Sequence, residues 1–439
     1  LYLTVSGRND WVSVLAPENR SFFYPAAEMS LIASDAFDFL KNSNTISYLK
    51  FRGGWSKVGQ VNLGPYSLLP TFGQANGFPY GSNAGFTVGN TLVSKDLKPE
   101  MTSGYEAGFD LNLFNDRFTS NLTWFHTNTT NQTVSTGVSG TTGFTSLRTN
   151  TGETMSEGLE VTAHITPIQT KDLSVTIGGN YSYLSNTVVS ISADLPRLGL
   201  GGASYAVAGQ PFPIIMGFDY KRSPDGRVIV DAATGIPQQS DTISNLGNAT
   251  AANKLSLDGT IKYKKFTLAF LFEYRGGYNI WSSMGSSIDW SGTSWRTAQY
   301  DRMRFVFPNS VIADPANPGK YITNTNISVP NGNGNNGFWS DNINRSVTSN
   351  YTHSGDFWKL RELAVSYDLP SKLLAKSKFI KGCTLSVQGR NLLVWMAPDN
   401  YYTDPEYGAS GGAGGNGVGI SGLQTPPSRY YGATVSFKF

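Results

Sequence analysis

The chain has 439 residues, of which 39% are hydrophobic and only 15% charged, with 48 Gly, 25 Phe, 22 Tyr, 9 Trp and a formal net charge of +3. No apolar run reaches the about 20 residues that a membrane-crossing helix needs, which excludes helical spans, and the small, scattered charge excludes a nucleic-acid surface. At this length either several soluble domains or one large barrel is expected, and the single cysteine, Cys383, cannot close an internal disulfide.

The chain opens in the middle of a strand, Leu1 to Ser6, without a secretory leader, and is expected to be the C-terminal part of a longer precursor. Gly7-Arg8-Asn9-Asp10-Trp11 then reads as the start of a loop running to Tyr24-Pro25, and Met29 to Ser34 as a second strand. Leu49, Phe51, Gly53 and Trp55 alternate with Lys50, Arg52, Gly54 and Ser56. The Gly-, Asn- and Pro-rich stretch from Lys57 to Glu100 carries no period and reads as a long loop.

A hairpin follows, with Tyr105, Ala107, Phe109, Leu111 and Leu113 on one face, Glu106 and Asp110 on the other, a turn at Asn115 to Arg117, and a return strand to about Asn128. The unit recurs at Leu159 to Ile165 with Leu173 to Tyr183, and at Leu255 to Tyr263 with Phe266 to Tyr274. It recurs once more at Asp356 to Asp368, Gly382 to Leu392 and Tyr430 to Phe439.

Two features choose between sandwich and barrel. Acids such as Glu106 and Asp110 on one strand face would be costly in a dry core and are ordinary on a wet lumen. The connections also alternate, short at 115–117, 167–172, 264–265 and 369–381, and long at 57–100, 129–152, 191–253, 278–355 and 394–428. That is the pattern of short periplasmic turns and long outer loops. The expected fold is therefore all-β, a transmembrane antiparallel β-barrel with about a dozen strands in this chain.

Several segments, in order along the whole chain, resemble the SusC/RagA family of TonB-dependent outer-membrane transporters. They include Phe23-Tyr-Pro25, Tyr48-Leu-Lys-Phe-Arg-Gly-Gly-Trp-Ser56, Leu97-Lys-Pro-Glu100 with Tyr105-Glu-Ala-Gly108, and Glu157-Gly-Leu-Glu160. The strongest are Gly355-Asp-Phe-Trp-Lys-Leu-Arg-Glu362, Tyr367-Asp-Leu-Pro370, Gly389-Arg-Asn-Leu-Leu393 and Thr403-Asp-Pro-Glu406. The resemblance implies a 22-stranded barrel in the Gram-negative outer membrane, of which this chain supplies a little over half, with the plug domain and the TonB-contacting segment outside it. It also implies import of a bulky nutrient, usually an oligosaccharide and in some members a peptide, powered through TonB. A SusD-like surface lipoprotein would lid the barrel, with transporter–lipoprotein pairs often dimerising. The rival readings are a TonB-dependent siderophore or metal-chelate receptor, a non-transporting barrel such as an adhesin, and a self-contained barrel of about a dozen strands.

No enzyme, cofactor or metal is expected: His126, His164 and His353 lie far apart and lack ligand spacing. Asp404-Pro405-Glu406 offers too few ligands for a cation. Trp281, Asp289, Trp290, Trp295, Trp339 and Asp341 in the longest outer loop are the candidate substrate contacts, since aromatic faces beside polar groups suit sugars; the same aromatics also pack loops and form membrane girdles.

Overall fold

The structure, a computed structural model, describes residues 1–192, 195–330, 337–375, 377, 379–402, 404–406, 418–422 and 427–439. Twelve strands form one antiparallel meander, the wall: β1 (Tyr2–Trp11), β2 (Ser21–Ile32), β3 (Ile46–Gln60), β4 (Glu100–Leu113), β5 (Phe118–Gly137) and β6 (Ser146–Gln169), then β7 (Leu173–Ser190), β8 (Asn253–Tyr263), β9 (Phe266–Gly276), β10 (Phe357–Asp368), β11 (Gly382–Met396) and β12 (Tyr430–Lys438). Each pairs with its chain neighbour, and β1 and β12 are the edges of the sheet. Thr91–Val93 adds a short parallel strand on β6.

The ladders carry the alternation across the whole wall. One row joins Phe109, Leu122, Val161, Tyr181, Leu255, Tyr274, Trp358 and Trp395, and the adjacent row on the other face joins Asp110, Asn121, Thr162, Asn180 and Ser256. The apolar face is exposed: Leu257 is 42% and Val387 64% accessible. Apolar side chains left open in such numbers mark a face that meets hydrocarbon. Aromatics border it, Tyr274, Trp358 and Trp395 at one edge and Tyr263, Phe266, Tyr367 and Phe437 at the other. Trp358 to Tyr367 spans nine residue steps on β10, about 30 Å of strand, or roughly 23 Å of height at a tilt near 40°, which matches a barrel's apolar band of about 25 Å.

Several boundaries differ from the sequence reading. The expected loop from Gly7 to Tyr24-Pro25 is a tight connection at 12–20, because Arg8 and Asp10 continue the ladder opposite Tyr24 and Phe22. Pro25 is tolerated there since β2 pairs with β3 only from Ala26 onward. The second strand accordingly starts at Ser21 and ends at Ile32, with Ser34 already in a helical turn, Ala33–Ala36.

The stretch 129–152, expected as a loop, remains in the β5–β6 ladder on both sides of a connection at 138–145. These strands rise above the lipid, where both faces are wet, so Thr127 to Thr133 has no reason to alternate. β3 likewise runs to Gln60 opposite Glu100.

The long connections gather beyond one end of the wall. Within them, Arg197–Gly201, Ser204–Val207, Ile214–Gly217 and Ser244–Asn248 form a four-stranded sheet. Val228–Ile229, Ser310–Ala313 and Tyr321–Thr323 form a three-stranded one, as do Thr352–Ser354, Asn279–Ser282 and Ile420–Ser421. This cap holds the ordinary buried core, including Ile215, Val311, Val329 and Phe338.

Candidate functional site: the lumen wall and its cap

The polar face of the wall is a hydrogen-bonded surface. Lys50 stands 3.8 Å from Asp110, and Arg52 donates to Asn121 Oδ1 at 3.1 Å. Gly108 lies between Arg52 and that partner: a Cβ there would come within 3.2 Å of the guanidinium. His164 reaches across β7 to Asp258 at 3.2 Å in the same way, since a Cβ on Gly178 would overlap its ring. Small residues in the intervening strand thus let long polar side chains couple alternate strands. Thr162 and Asn180 at 2.6 Å, and Ser386 and Ser366 at 2.9 Å, extend the wet surface. A cavity of about 350 Å³ opens on it, lined by Glu28, Lys50, Arg52, Glu106 and Thr123 among others.

At the outer end of β9 and β10 the wall is clasped to the last outer loop. A bulge inserts Arg361 between Leu360, opposite Phe272, and Glu362, opposite Leu271. Lys359 and Arg361, two apart on the strand, both project inward. Lys359 Nζ donates to Asp404 at 2.7 Å and pairs with Glu406; Arg361 pairs with Glu406 and donates to Glu273 at 2.5 Å. Arg275 bridges Glu273 at 2.6 Å and Glu406 at 3.0 Å. Three cations meet three carboxylates over the Phe357 ring, with Lys359 4.9 Å from its centre. The Lys359 side chain is only 4% exposed, so neutralisation is required rather than optional. Burial alone would raise the Glu406 pKa, but the Arg361 and Lys359 hydrogen bonds outweigh it and hold the carboxyl at about 2.

A second polar centre ties the cap together. Arg296 donates to the Asn350 carbonyl at 3.3 Å and to Asn350 Oδ1 at 2.7 Å, hydrogen-bonds Tyr402, and lies 3.5 Å from Asp289. Its guanidinium sits 5.1 Å from the centre of the Trp339 ring and about 6 Å from those of Tyr351, Tyr401 and Tyr402. Burial pushes the Asp289 carboxyl up despite Arg296. Burial also lowers His353 to about 4, so this imidazole is neutral in the folded cap.

Of the six loop residues singled out from sequence, the structure brings Asp289 and Trp339 together around Arg296. Trp339 packs with Phe305, Val329 and Phe338, and Trp281 packs on the Ala203, Ile215 and Ala249 core. Asp341 caps the helix Asn342–Ser346 by accepting from the Asn344 N–H at 3.0 Å. Trp290 and Trp295 are 55% and 56% exposed, the first beneath Arg345 and the second edge-on to Tyr401 at 5.3 Å.

The three histidines stand apart: His126 beside Trp124 on the outward rim, His164 in the lumen, His353 inside the cap. Among the described residues no three metal-ligating side chains converge. Sequence reasoning considered Asp404 and Glu406 as a weak cation site and missed that their partners are protein cations. The signal was Lys359 and Arg361 two apart on a strand, which places both on one face.

Comparison with known proteins locates this architecture. A family model described as TonB dependent receptor-like, beta-barrel matches residues 1–392. TonB-dependent receptor P26 of Formosa agariphila is 22% identical over 95% of this chain and 42% of its own. TonB-dependent receptor SusC of Bacteroides thetaiotaomicron is 27% identical over 43% of this chain and 19% of its own. The RagAB peptide importer in its closed-closed state superposes with a TM-score of 0.74 at 18% identity, over 100% of this chain and 46% of that one. The chain spans about two fifths of the length of the curated relatives that it matches along almost its whole extent.

Proposed function

We propose, from the premise that the chain belongs to the TonB-dependent receptor-like β-barrel family, that it forms part of the wall and outer vestibule of an outer-membrane importer of a bulky nutrient. An oligosaccharide, which the SusC/RagA resemblance of the sequence motifs implies, is the leading cargo and a peptide the second; likeness to the RagAB peptide importer supports the second. The carrying observation is the wall itself, apolar toward lipid and hydrogen-bonding toward a wet interior, with a loop cap clasped to its inner face by Lys359, Arg361, Asp404 and Glu406. In the whole protein, TonB would supply the energy and a SusD-like lipoprotein would close the outer mouth, with two such pairs assembling together.

No bond of the cargo is made or broken in this reading. The chain's own residues present hydrogen-bonding groups along the passage and fix the outer loops. Trp290 and Trp295 offer open rings for stacking on cargo, while Asp289, Trp281, Trp339 and Asp341 hold the layer that presents them. The test is uptake by a deletion strain complemented with the gene. Trp290→Ala with Trp295→Ala is expected to raise the half-saturating nutrient concentration roughly tenfold, as the loss of one or two stacking contacts would. Growth on every candidate glycan and peptide that is independent of the gene would overturn the proposal.

A further inference from the structure

Where β8 and β9 leave the membrane, two cations face each other across the ladder on the lumen side. Lys254 is the direct cross-strand partner of Arg275. Like charges in this position destabilise a sheet unless an anion lies between them. Arg275 has its anions, Glu273 and Glu406. Lys254 is exposed, and among the described residues no carboxylate pairs with it. The stretch 407–417, Tyr-Gly-Ala-Ser-Gly-Gly-Ala-Gly-Gly-Asn-Gly, contains no acid that could do so.

These two cations border a cavity of about 290 Å³ between the wall and the clasped loop. Thr250, Tyr278 and the Glu406 carboxylate, which Lys359, Arg361 and Arg275 neutralise, also line it; the rest is aliphatic, including Ala249, Ile280, Val418 and Ile420. The volume sits at the small end of the range for small-molecule sites, roughly 300–1,000 Å³, and suits something the size of one amino acid. An aliphatic floor beneath an uncompensated cation fits a ligand with a carboxylate at one end and a short apolar body at the other. Against these aliphatic side chains a hydroxyl-covered sugar ring would leave most of its polar groups unpaired, with only Thr250, Tyr278 and the charged groups to meet them.

We propose that this cavity is a binding subsite for a carboxylate carried on a short aliphatic body, with Lys254 as the residue that takes the charge and Arg275, held by Glu273 and Glu406, as its fixed neighbour. The inference deepens the import reading and rests on its peptide alternative: the subsite would grip one acidic, apolar unit of a cargo entering the lumen. The loop that carries Glu406 forms one side of the subsite, so occupancy and the clasp are coupled.

The test uses the whole transporter purified in detergent, with N-acetylleucine, its methyl ester and glucuronate as probes, followed by saturation-transfer NMR and calorimetry. N-acetylleucine is expected to bind, and its ester to bind roughly tenfold more weakly, the loss expected for a charged hydrogen bond. Lys254→Gln should weaken the acid to the same degree, Lys254→Arg should restore it, and Lys262→Gln, an inward lysine opposite Thr267 on the same strand, should leave it unchanged. Equal binding of acid and ester, or no effect of Lys254→Gln, overturns the subsite; equal binding of glucuronate overturns the aliphatic requirement. Uptake by Lys254→Gln cells separates the two claims, because intact uptake of cargo with no probe binding in the wild type sinks the subsite alone.

Discussion

The wall and the cap solve opposite problems with the same residue types. In the wall, Leu257, Val387 and Val435 are exposed on the outward face while Asp258, Gln388 and Thr434 lie on the inward one. In the cap, Ile215, Val311 and Val329 are fully enclosed. A side chain's accessibility therefore says nothing about stability until the solvent on that side is known: lipid makes an open leucine as comfortable as a buried one.

The largest effect is expected where wall and cap meet. Lys359→Met would leave Asp404 and Glu406 short of a buried counter-charge, at a cost of about 3–5 kcal/mol. Proteolysis should then cut near 397–402 while the wall still resists, and equal protection in the variant would refute the clasp. A matched pair of truncations sharpens the contrast. Ile215→Ala should destabilise the cap by about 2–5 kcal/mol, because a rigid core leaves a cavity, whereas Val365→Ala in the wall should cost less than about 1 kcal/mol because lipid fills the gap. Urea titration of each variant in bilayers measures both.

Reversing the logic, Leu257→Arg places a charge in hydrocarbon and should cost about 2–4 kcal/mol, while Ser256→Arg, turned to water, should be near neutral. The last expected effect is a pH dependence confined to the cap. The His353 pKa falls from 6.5 to about 4 on folding, so its contribution is full above pH 6.5 and is lost as pH drops toward 4, amounting to about 3 kcal/mol at most. Glu406, depressed from 4.5 to about 2, keeps the clasp intact until pH falls below about 4.5. Amide exchange should therefore quicken around 352–354 before it quickens around 404–406, and His353→Gln should remove the first phase.

The wall was legible in the sequence wherever one face meets lipid and the other water, because only that contrast enforces a period of two. The same reasoning failed above the membrane, where Thr127 to Thr133 and Thr149 to Thr154 are strands with two wet faces. It also could not assemble the cap. Val228–Ile229 pairs with Ser310–Val311, and Phe305–Val306 with Ser328–Val329, two-residue contacts too short to carry a pattern. Trp281 and Trp339 read as sugar-contact candidates because a loop tryptophan carries no mark of which ring the core will absorb. Lys359 and Arg361, two apart on a strand, mark one face as basic, but their partners Asp404 and Glu406 lie 45 residues further on in a loop, and nothing in the local sequence says that the loop returns to that face.

The central claim, that this polypeptide alternates residue by residue between hydrocarbon and a wet interior, is tested most directly by spin labels placed one at a time from Leu255 to Ile261 in the transporter reconstituted into bilayers. Labels at 255, 257, 259 and 261 should be quenched by oxygen dissolved in lipid, and those at 256, 258 and 260 by a water-soluble nickel chelate. Uniform access to either reagent along β8, or the two sets exchanged, would contradict the account.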